Sequence, residues 1–413
     1  MGIVVQKYGG TSVADLDRIR SVAGRVIEAK EAGDEVCVVV SAMGDTTDEL
    51  LGMAHRITPV PHGRELDLLL TAGERIAMSL LAITINAEGY PAASYTGSQA
   101  GIITDNRHGK AKIIDIRPGR VREALDRGDV VIVAGFQGVS TAHDVTTLGR
   151  GGSDTTAVAL AAALGAEVCE INTDVGGVST ADPRIVPEAR KLHAVSYEEM
   201  LEMAATGAKV LELRAVEYAR NSGIKLHVRS SFDSEGGTWI AEEDERMEQA
   251  IISGVTHDTS QAKVTLVDVP DRPGIAATIF KAVADEGLNV DMIVQNVSRE
   301  GITDLSFTIP KDDLPHAGKA IGRVAEEIGV AYDTDADIAK ISLIGAGMKT
   351  HPGVAARMFD ALARAGINLE MISTSAIRIS CVIRASDVEQ AVRVLHDEFR
   401  LSEEDVIREH EGA

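Results

Sequence analysis

The sequence has 413 residues, which at about 150 residues per domain predicts two or three domains. Its 63 Asp and Glu residues against 41 Lys and Arg give a formal net charge of −22. That excess argues against a nucleic-acid-binding protein and against binding to an anionic membrane surface. A small anionic substrate is not excluded, because it needs only a local cluster of positive charge.

Three cysteines, Cys37, Cys169 and Cys381, lie far apart in apolar segments and predict buried thiols in a reducing compartment. No Cys/His spacing suggests zinc, and we assign no residue as a metal ligand. The segment Met1–Lys7 lacks the pattern of a signal peptide, and the longest small-apolar stretch, Ala157–Leu164, is too short to cross a bilayer. Together these features predict a soluble cytoplasmic protein.

The first 230 or so residues alternate short β-rich segments with helical ones, which predicts an α/β sandwich with a mainly parallel sheet. In such sheets ligands bind beyond the carboxyl ends of the strands. The predicted strands are Ile3–Val5, Val36–Val40, Ala92–Tyr95, Val130–Ala134 and Val168–Asn172. The predicted helices are Asp15–Ala32, Glu74–Glu88, Arg120–Arg127 and Thr155–Leu164.

The C-terminal part of the sequence contains an internal repeat. Pro273–Ile293 aligns without gaps with Pro352–Ile372, and eleven of the twenty-one positions are identical. Each copy is flanked by predicted strands and followed by a further helix, which predicts two ferredoxin-like βαββα units. We therefore expect a first domain over 1–230, a linker over 231–261 and small domains over 262–336 and 337–413, with strand exchange between the two as an alternative.

Glycines and hydroxyl residues follow the first two predicted strands. The segment Lys7-Tyr8-Gly9-Gly10 lets backbone N–H groups approach a phosphate, although a tight turn with an exposed lysine explains it equally well. It is not a Walker A loop, because the lysine precedes the glycines. Beyond the second strand, Ser41 and Thr47 either bind an anionic group or cap the next helix, and the cap is the simpler interpretation.

The strongest local motif is Thr146–Thr156, directly before an Ala-rich helix. Within it a cation, two glycines and two capping residues meet at one helix N-terminus, which indicates an anion site. These residues are Arg150, Gly151, Gly152, Ser153 and Asp154.

Three other features are weaker. Glu74 lies in the first turn of a predicted helix, where the helix dipole is a sufficient reason for it. Thr173–Arg184 resembles a loop around a nucleotide, but a Gly/Pro-rich surface loop is the simpler interpretation. Lys209 is a lone cation in a helical pattern. The sequence has neither HExxH nor Gly-x-Ser-x-Gly, so hydrolase chemistry has no support.

Taken together, these motifs resemble the aspartate kinases of the amino-acid-kinase superfamily over essentially the whole chain. Val5–Val13 is similar to the opening signature of that family, and the later motifs follow in the same order: Ser41–Gly44, Thr71–Glu74, Gly135–Gly138, Thr147–Asp154 and Thr180–Arg184. The repeat resembles tandem ACT domains, which bind amino-acid effectors. Segments 44–51 and 345–353 resemble those of actinobacterial-type enzymes regulated by lysine plus threonine.

The resemblance implies transfer of the γ-phosphoryl group of ATP to the β-carboxylate of L-aspartate, with Mg²⁺ bridging the phosphates. This is the first step toward lysine, threonine, methionine and diaminopimelate. The implied catalytic residues are Lys7, Lys209 and Asp154, with Asp154 holding the two lysines in place. Arg150 would bind the α-carboxylate of aspartate and Glu74 its ammonium.

The resemblance also implies three sets of binding residues. The aspartate set is Ser41, Thr47, Glu74, Arg150, Gly151, Gly152 and Ser153. The nucleotide set is Lys7, Tyr8, Gly9, Gly10, Thr173, Asp174, Ser179, Asp182, Arg184 and Lys209, with Gly9 and Gly10 donating N–H groups to the phosphates. The effector set is Asp271, Gly274, Asp291, Gln295, Asn368 and Ser375.

Two departures from the family pattern have expected consequences. Ser179 stands where relatives have Tyr or Phe, which predicts weaker or altered ATP binding. Ala376 stands where relatives often have Glu, which predicts attenuated feedback. ACT domains usually pair between chains, so the resemblance implies a homo-oligomer, and Met247 would suit an internal start for a separate regulatory subunit.

Two other functions remain open from the sequence. One is another kinase of the superfamily, acting on acetylglutamate, glutamate or a nucleoside monophosphate. The tandem repeat and the Arg150–Asp154 motif count against it. The other is a catalytically silent amino-acid sensor, against which the intact Lys7, Arg150, Asp154 and Lys209 weigh.

Overall fold

The computed structural model describes residues 2–243, 251–296 and 300–403. They divide into two compact units. The first unit contains residues 2–178, 191–204 and 209–243, and the second contains 179–190, 205–208 and the described residues from 251 onward. The proposed internal start at Met247 lies outside the described residues.

The first unit is an α/β sandwich, as the sequence predicts. Its strands are β1 (Ile3–Tyr8), β2 (Glu35–Val40), β3 (Ala92–Tyr95), β4 (Ile102–Thr104), β5 (Ile113–Ile116), β6 (Val130–Ala134), β7 (Gln137–Ser140), β8 (Val145–Thr147), β9 (Val168–Thr173), β10 (Ala194–Ser196), β11 (Lys225–Ser230) and β12 (Thr238–Ala241). Eight of them form one sheet in the order β10-β12-β11-β9-β1-β2-β6-β3, and the run from β11 to β3 is entirely parallel.

The helices of this unit cover the sheet. They are α1 (Leu16–Glu31), α2 (Thr46–Ile57), α3 (Arg64–Leu70), α4 (Ala72–Ala87), α5 (Gly119–Asp126), α6 (Gly152–Leu164), α7 (Tyr197–Ala205) and α8 (Leu213–Ser222). Helices α1 and α4 pack Ile19, Leu81 and Ile85 against strand residues such as Val38 and Ile132 in one aliphatic core. Helix α6 is Ala-rich and buried along most of its length, so it lies close to β1.

Four short strands form a second sheet in the order β5-β4-β7-β8. Of these, β7 and β8 are an antiparallel hairpin that leads directly into the loop before α6. The sequence analysis did not predict this sheet, because three- and four-residue strands carry little periodicity.

The stretch Arg64–Ala87 is the one described segment that is helical and apolar enough, by length and composition, to cross a bilayer. Half of its most apolar window is buried in this fold. It comprises α3 and α4, and α4 packs Ala77, Leu81 and Ile85 into the core described above. A core helix of a globular domain has the same composition.

The second unit contains the repeat. Its strands are β13 (Gly254–Asp258), β14 (Gln261–Pro270), β15 (Ile293–Gln295), β16 (Ile302–Pro310), β17 (Ala331–Asp335), β18 (Ile338–Ile344), β19 (Met371–Thr374) and β20 (Arg378–Arg384), and its helices are α9 (Ile275–Asp285), α10 (Leu314–Ile328), α11 (Val354–Arg364) and α12 (Val388–Glu398). The two sheets have the orders β15-β16-β14-β17 and β13-β18-β20-β19. The repeated segments become α9 and α11, each preceded by a Pro-Gly turn in which Gly274 and Gly353 have φ of +96° and +99°.

The segment expected to be a linker contains two strands. Strand β12 (Thr238–Ala241) lies in the large sheet between β10 and β11, parallel to β10 and antiparallel to β11. Strand β13 (Gly254–Asp258) precedes the first repeat in sequence but pairs with β18 in the sheet of the second repeat. Strands of four or five residues are too short to show a clear periodicity and are not distinguished from loops by pattern alone, so the sequence analysis missed both.

Candidate active site

The polar residues of the first unit collect at one edge of the parallel sheet. In the register of the sheet, Tyr8 at the end of β1 is opposite Val40 of β2 and Asn172 of β9, and Val40 is opposite Ala134 of β6. The residues that follow these four positions therefore start their loops side by side. This is the edge where ligands bind in open α/β sheets.

Lys7 and Asp154 form an ion pair at this edge. The Lys7 Nζ lies 2.6 Å from the Asp154 Oδ1, and the two side chains are only 12% and 10% exposed. Lys7 comes from β1 and Asp154 from the first turn of α6, so the pair joins the strand to the helix. The structure thus brings together two of the three expected catalytic residues.

Lys209 differs from its expectation. It is exposed in the turn between α7 and α8, not inside a helix, and the described residues include no ion-pair partner for it. The contact that would place it beside Asp154 is therefore not formed in this structure.

The two glycines after β1, Gly9 and Gly10, have different structural roles. The Gly9 N–H donates to the Asn172 carbonyl at 3.2 Å, so it is not available to a phosphate and this part of the prediction is corrected. A Cβ on Gly10 would lie 2.9 Å from the Ala42 carbonyl oxygen, so only glycine allows the β1 and β2 loops to approach this closely. The Tyr8 side chain is also not at the site, because it is 1% exposed and lies in the core, where burial raises the pKa of its hydroxyl.

Glu74 is the most unusual carboxylate of the site. It is 3% exposed, its Oε1 accepts the Ala42 N–H at 3.1 Å, and its buried Oε2 has no hydrogen-bond partner among the described residues. Burial raises the pKa of Glu74 to about 7. A buried carboxylate oxygen without a partner is costly, so this oxygen is a candidate acceptor for a hydrogen-bond donor of a ligand.

The β8–α6 loop presents Arg150 to solvent. Arg150 is exposed, whereas Ser153 and Asp154 are buried in the first turn of α6. Gly151 has φ of +65°, and a Cβ there would lie 2.5 Å from the Glu212 side chain, so the residue must be glycine. The loop offers a guanidinium and a helix N-terminus to an anion. Of the other aspartate candidates, Ser41 and Thr47 are half-buried on the β2 side of the same edge.

Glu212 is a residue that the sequence analysis did not identify. Its side chain is half-buried against Gly151, and its pKa is raised first by burial and then by the charge of Asp154. A carboxylate beside an anion site weakens anion binding there, so the charge of Glu212 makes the electrostatic potential at this loop less positive. No local pattern marks this residue, because only the tertiary fold brings the turn before α8 to the start of α6.

Asn172 is a second residue that the sequence analysis missed. Asn172 is paired with Tyr8 at the last position of the β1–β9 register, and it is 2% exposed. Its side-chain Nδ2 has no hydrogen-bond partner in the part of the chain that the structure describes. The neighbouring candidates Thr173 and Asp174 are hydrogen-bonded to each other, Oγ1 to Oδ1, at 3.2 Å.

The remaining nucleotide candidates belong to the second unit. Ser179 is half-buried there, and the Asp182 Oδ2 accepts from the Arg184 Nη2 at 2.7 Å. The hydrogen bonds from Arg184 hold the pKa of Asp182 below its usual value. The Arg184 guanidinium is thus engaged by a neighbouring carboxylate, and the structure does not gather these residues in the same unit as Lys7.

The six effector candidates are divided between the two repeats. Asp271, Gly274, Asp291 and Gln295 lie around α9 and β15 of the first repeat, and all four are exposed. The Asp291 carboxylate is ion-paired with Lys340, a side chain that is 1% exposed. In the second repeat, Asn368 is exposed and Ser375 lies in the turn between β19 and β20.

Comparison with known proteins agrees with this architecture. The Amino acid kinase family matches residues 2–230, and ACT domain families match residues 263–326 and 341–399. The aspartokinase of Mycolicibacterium smegmatis is 58% identical over 413 residues, 98% of each chain.

Two solved structures of Escherichia coli aspartokinase III, each 26% identical to this chain, are similar over 96% of this chain and 99% of theirs. The complex with aspartate and ADP, an R-state, has a TM-score of 0.84. The complex with lysine and aspartate, a T-state, has a TM-score of 0.72. On the identity and coverage of its relatives, and on the kinase and ACT domains it contains, the chain belongs to the aspartokinase family.

Proposed function

We propose that the chain carries out the aspartokinase reaction at the edge where β1, β2, β6 and β9 end. The γ-phosphoryl group of ATP is transferred to the β-carboxylate of L-aspartate, giving 4-phospho-L-aspartate. The observation that supports this assignment is the nearly buried Lys7–Asp154 ion pair together with the Glu74 Oε2, which has no hydrogen-bond partner in the described part of the chain. The E. coli neighbour in complex with aspartate and ADP supports the same pair of ligands.

Charge neutralisation is the central requirement of this reaction. A carboxylate must approach a polyphosphate, and two unit charges 4 Å apart repel by about 4 kcal/mol at an effective dielectric of 20. Phosphoryl transfer depends mainly on positioning and electrostatic stabilisation. Lys7 supplies positive charge at the transferring group, and Asp154 fixes the position of its ammonium.

The two charged groups of the aspartate backbone are bound by side chains of opposite charge. Glu74 accepts the α-ammonium through its unpartnered oxygen, and Arg150 binds the α-carboxylate. The side chains and backbone that line the remaining surface are those of Ser41, Thr47, Gly151, Gly152 and Ser153. This arrangement leaves the β-carboxylate directed at the nucleotide.

The nucleotide is bound next to Lys7, with Gly10, Thr173 and Asp174 as its nearest candidates at the ends of β1 and β9. Lys209 of the same unit and Ser179, Asp182 and Arg184 of the second unit are the further nucleotide candidates that the family resemblance implies. No group of three or more Asp, Glu, His or Cys side chains forms a metal site in the described residues. Mg²⁺ in kinases is usually bound by substrate phosphates and water with one or two carboxylates, and an ion bound in this way would neutralise phosphate charge.

Substitution Glu212→Gln tests the electrostatics of the anion site. Removal of this half-buried charge next to Gly151 and Asp154 is expected to lower the KM for aspartate severalfold at low ionic strength and less at high salt. Steady-state kinetics at two salt concentrations measure this, with Glu217→Gln on the exposed face of α8 as the matched control. An unchanged or raised KM in Glu212→Gln would contradict the assignment.

Substrate identity is tested by ADP release. We expect turnover with L-aspartate and none with glutamate or acetylglutamate, and hydroxylamine is expected to trap the acyl phosphate as the aspartyl hydroxamate. Turnover with acetylglutamate or glutamate instead would show a different kinase of the same superfamily.

Regulation is proposed to act through lysine and threonine at the ACT domains. The E. coli neighbour in complex with lysine supports an amino-acid effector. In this chain Asp291 is already paired with the buried Lys340, and the hairpin turn carries Ala376, so we expect weak inhibition. ADP release is measured with each amino acid alone and with both, and Ala376→Glu is expected to increase the inhibition. Full inhibition of the unsubstituted enzyme by modest amounts of both would refute attenuation.

The assembly and cellular place of the enzyme follow as proposals. ACT domains usually associate through their sheets, so we propose a homo-oligomer, with or without a separately translated regulatory subunit. We propose a cytoplasmic location, in line with the buried cysteines, which suit a reducing compartment.

A further inference from the structure

A buried carboxylate outside the residues assigned so far accepts hydrogen bonds from two other segments of the first unit. Asp67, on α3, is 1% exposed. Its Oδ2 accepts from the His108 Nδ1 at 2.8 Å, and its Oδ1 accepts from the Gly109 N–H at 3.0 Å and from the Thr147 hydroxyl at 2.6 Å. Because a carboxylate only accepts hydrogen bonds, the proton of His108 lies on Nδ1.

These contacts fasten the β4–β5 loop to the strand that leads to Arg150. Thr147 is the last residue of β8, and its carbonyl accepts the Ala111 N–H at 2.9 Å. The Arg214 guanidinium of α8 also donates to the carbonyls of Leu148 at 2.9 Å and Ala111 at 3.0 Å. Both segments are thus hydrogen-bonded to a side chain of α3 and to a side chain of α8.

The same loop limits the path of the chain just before Arg150. Gly149 has φ of +84°, and a Cβ there would lie 3.2 Å from the Gly109 carbonyl oxygen. The Gly109 carbonyl oxygen therefore leaves little room for a side chain at the residue immediately preceding Arg150. Arg150 itself is exposed and has no ion pair within the described ranges, so its position depends on this backbone and not on its own side-chain contacts.

We infer that Asp67 and His108 are positioning residues that fix the Thr147–Gly149 backbone and so aim Arg150 at the α-carboxylate of the substrate. The inference rests on the proposed role of Arg150. The His108 side chain is 24% exposed, and its contribution is the hydrogen bond from Nδ1 to Asp67. Small displacements of a substrate-binding group have large effects on binding and rate.

The test compares a variant that lacks the Nδ1–H donor of His108 with a variant that replaces it by another N–H donor. His108→Ala removes the hydrogen bond to Asp67, whereas His108→Asn places an amide N–H near the position of Nδ1. We expect His108→Ala to raise the KM for aspartate about tenfold and to leave the KM for ATP within about twofold, and His108→Asn to recover most of the loss. His55→Ala, at an exposed histidine of α2, is the matched control.

Arg150→Ala separates this inference from the assignment of the site. If Arg150→Ala raises the KM for aspartate, and His108→Ala adds nothing in the Arg150→Ala background, His108 acts through Arg150 as inferred. If Arg150→Ala raises that KM but His108→Ala does not, or the two effects add, the inference fails and the proposed site stands. If Arg150→Ala leaves the KM for aspartate unchanged, the role of Arg150 is wrong. Equal effects of His108→Ala on both KM values, or no recovery in His108→Asn, would show a merely structural role.

Discussion

Lys7→Ala is expected to reduce kcat by about 10²–10³-fold, the usual cost of losing one electrostatic contact to the transition state. The Lys7 ammonium is nearly buried against Asp154 at the end of β1, so no other described cation replaces it there. ADP release at saturating ATP and aspartate measures the loss. Retention of more than a tenth of the activity would contradict the proposed role of Lys7 and favour a different phosphoryl-binding group.

The effect of Lys7→Ala on stability must be separated from its effect on chemistry. The substitution leaves the Asp154 carboxylate mostly buried without its partner, which lowers the free energy of unfolding by several kcal/mol at most. Lys7→Ala combined with Asp154→Asn removes that unpaired charge and is expected to recover stability in urea unfolding while kcat stays low. Lys225→Ala, at an exposed lysine where β11 begins, is the matched control. A silent sensor protein would show no aspartate-dependent turnover even without substitution.

Glu74→Gln is expected to raise the KM for aspartate about a hundredfold, because the neutral amide cannot pair with the substrate ammonium. The KM for ATP is expected to stay within about twofold, since Glu74 lies on the β2 and α4 side of the edge. Initial rates over a range of aspartate concentrations measure this. Glu88→Gln, at the exposed C-terminal end of α4, is the matched control, and equal effects in the two variants would contradict the assignment.

The pH dependence of stability follows from the same group. Burial raises the pKa of Glu74 to about 7 in the folded chain, whereas its usual value is 4.5. Between these values the folded state binds more protons than the unfolded state, so stability falls as the pH rises from about 4.5 through 7 and then levels off. Glu74→Gln is expected to add up to about 3 kcal/mol to the free energy of unfolding at pH 8 and little at pH 4. Urea unfolding at both pH values measures the difference.

The pH dependence of substrate binding has the opposite sign. Only the ionised carboxylate pairs with the ammonium, so the KM for aspartate is expected to rise by up to tenfold per pH unit below about 7 and to be flat above it. In Glu74→Gln this rise should disappear. A rise of the same size in the variant would assign the titration to another group.

The sequence located the main elements of the first unit and the repeat of the second. The five predicted strands of the large sheet and the four predicted helices are all present, with ends shifted by a few residues. Uniformly apolar strands and amphipathic helices have strong local patterns, so their positions can be predicted from a single sequence. Strands β12 and β13 have no such pattern and were assigned to a linker. The helical pattern around Lys209 was misleading, because tertiary contacts made that segment a turn.

The site residues also divide into those that a local motif predicts and those that depend on tertiary packing. Glycine and charge motifs marked Lys7, Arg150 and Asp154, because an anion site at a strand end or helix start needs those residue types in one short segment. Other features are properties of packing: the engagement of the Gly9 N–H by Asn172, and the burial of the Tyr8 ring. Each depends on a neighbour far away in the chain.

The fold class, the duplicated C-terminal unit and the order of the motifs follow from the chain alone, because they depend on local periodicity and residue identity. Which carboxylates lose water and which find partners depends on the packing of distant segments. Among the described residues, one buried oxygen of Glu74 has no partner, Lys7 is paired with Asp154, and Asp67 accepts from three donors. The reason is physical: desolvation and hydrogen bonding depend on atoms brought together from distant segments, and no local pattern records them.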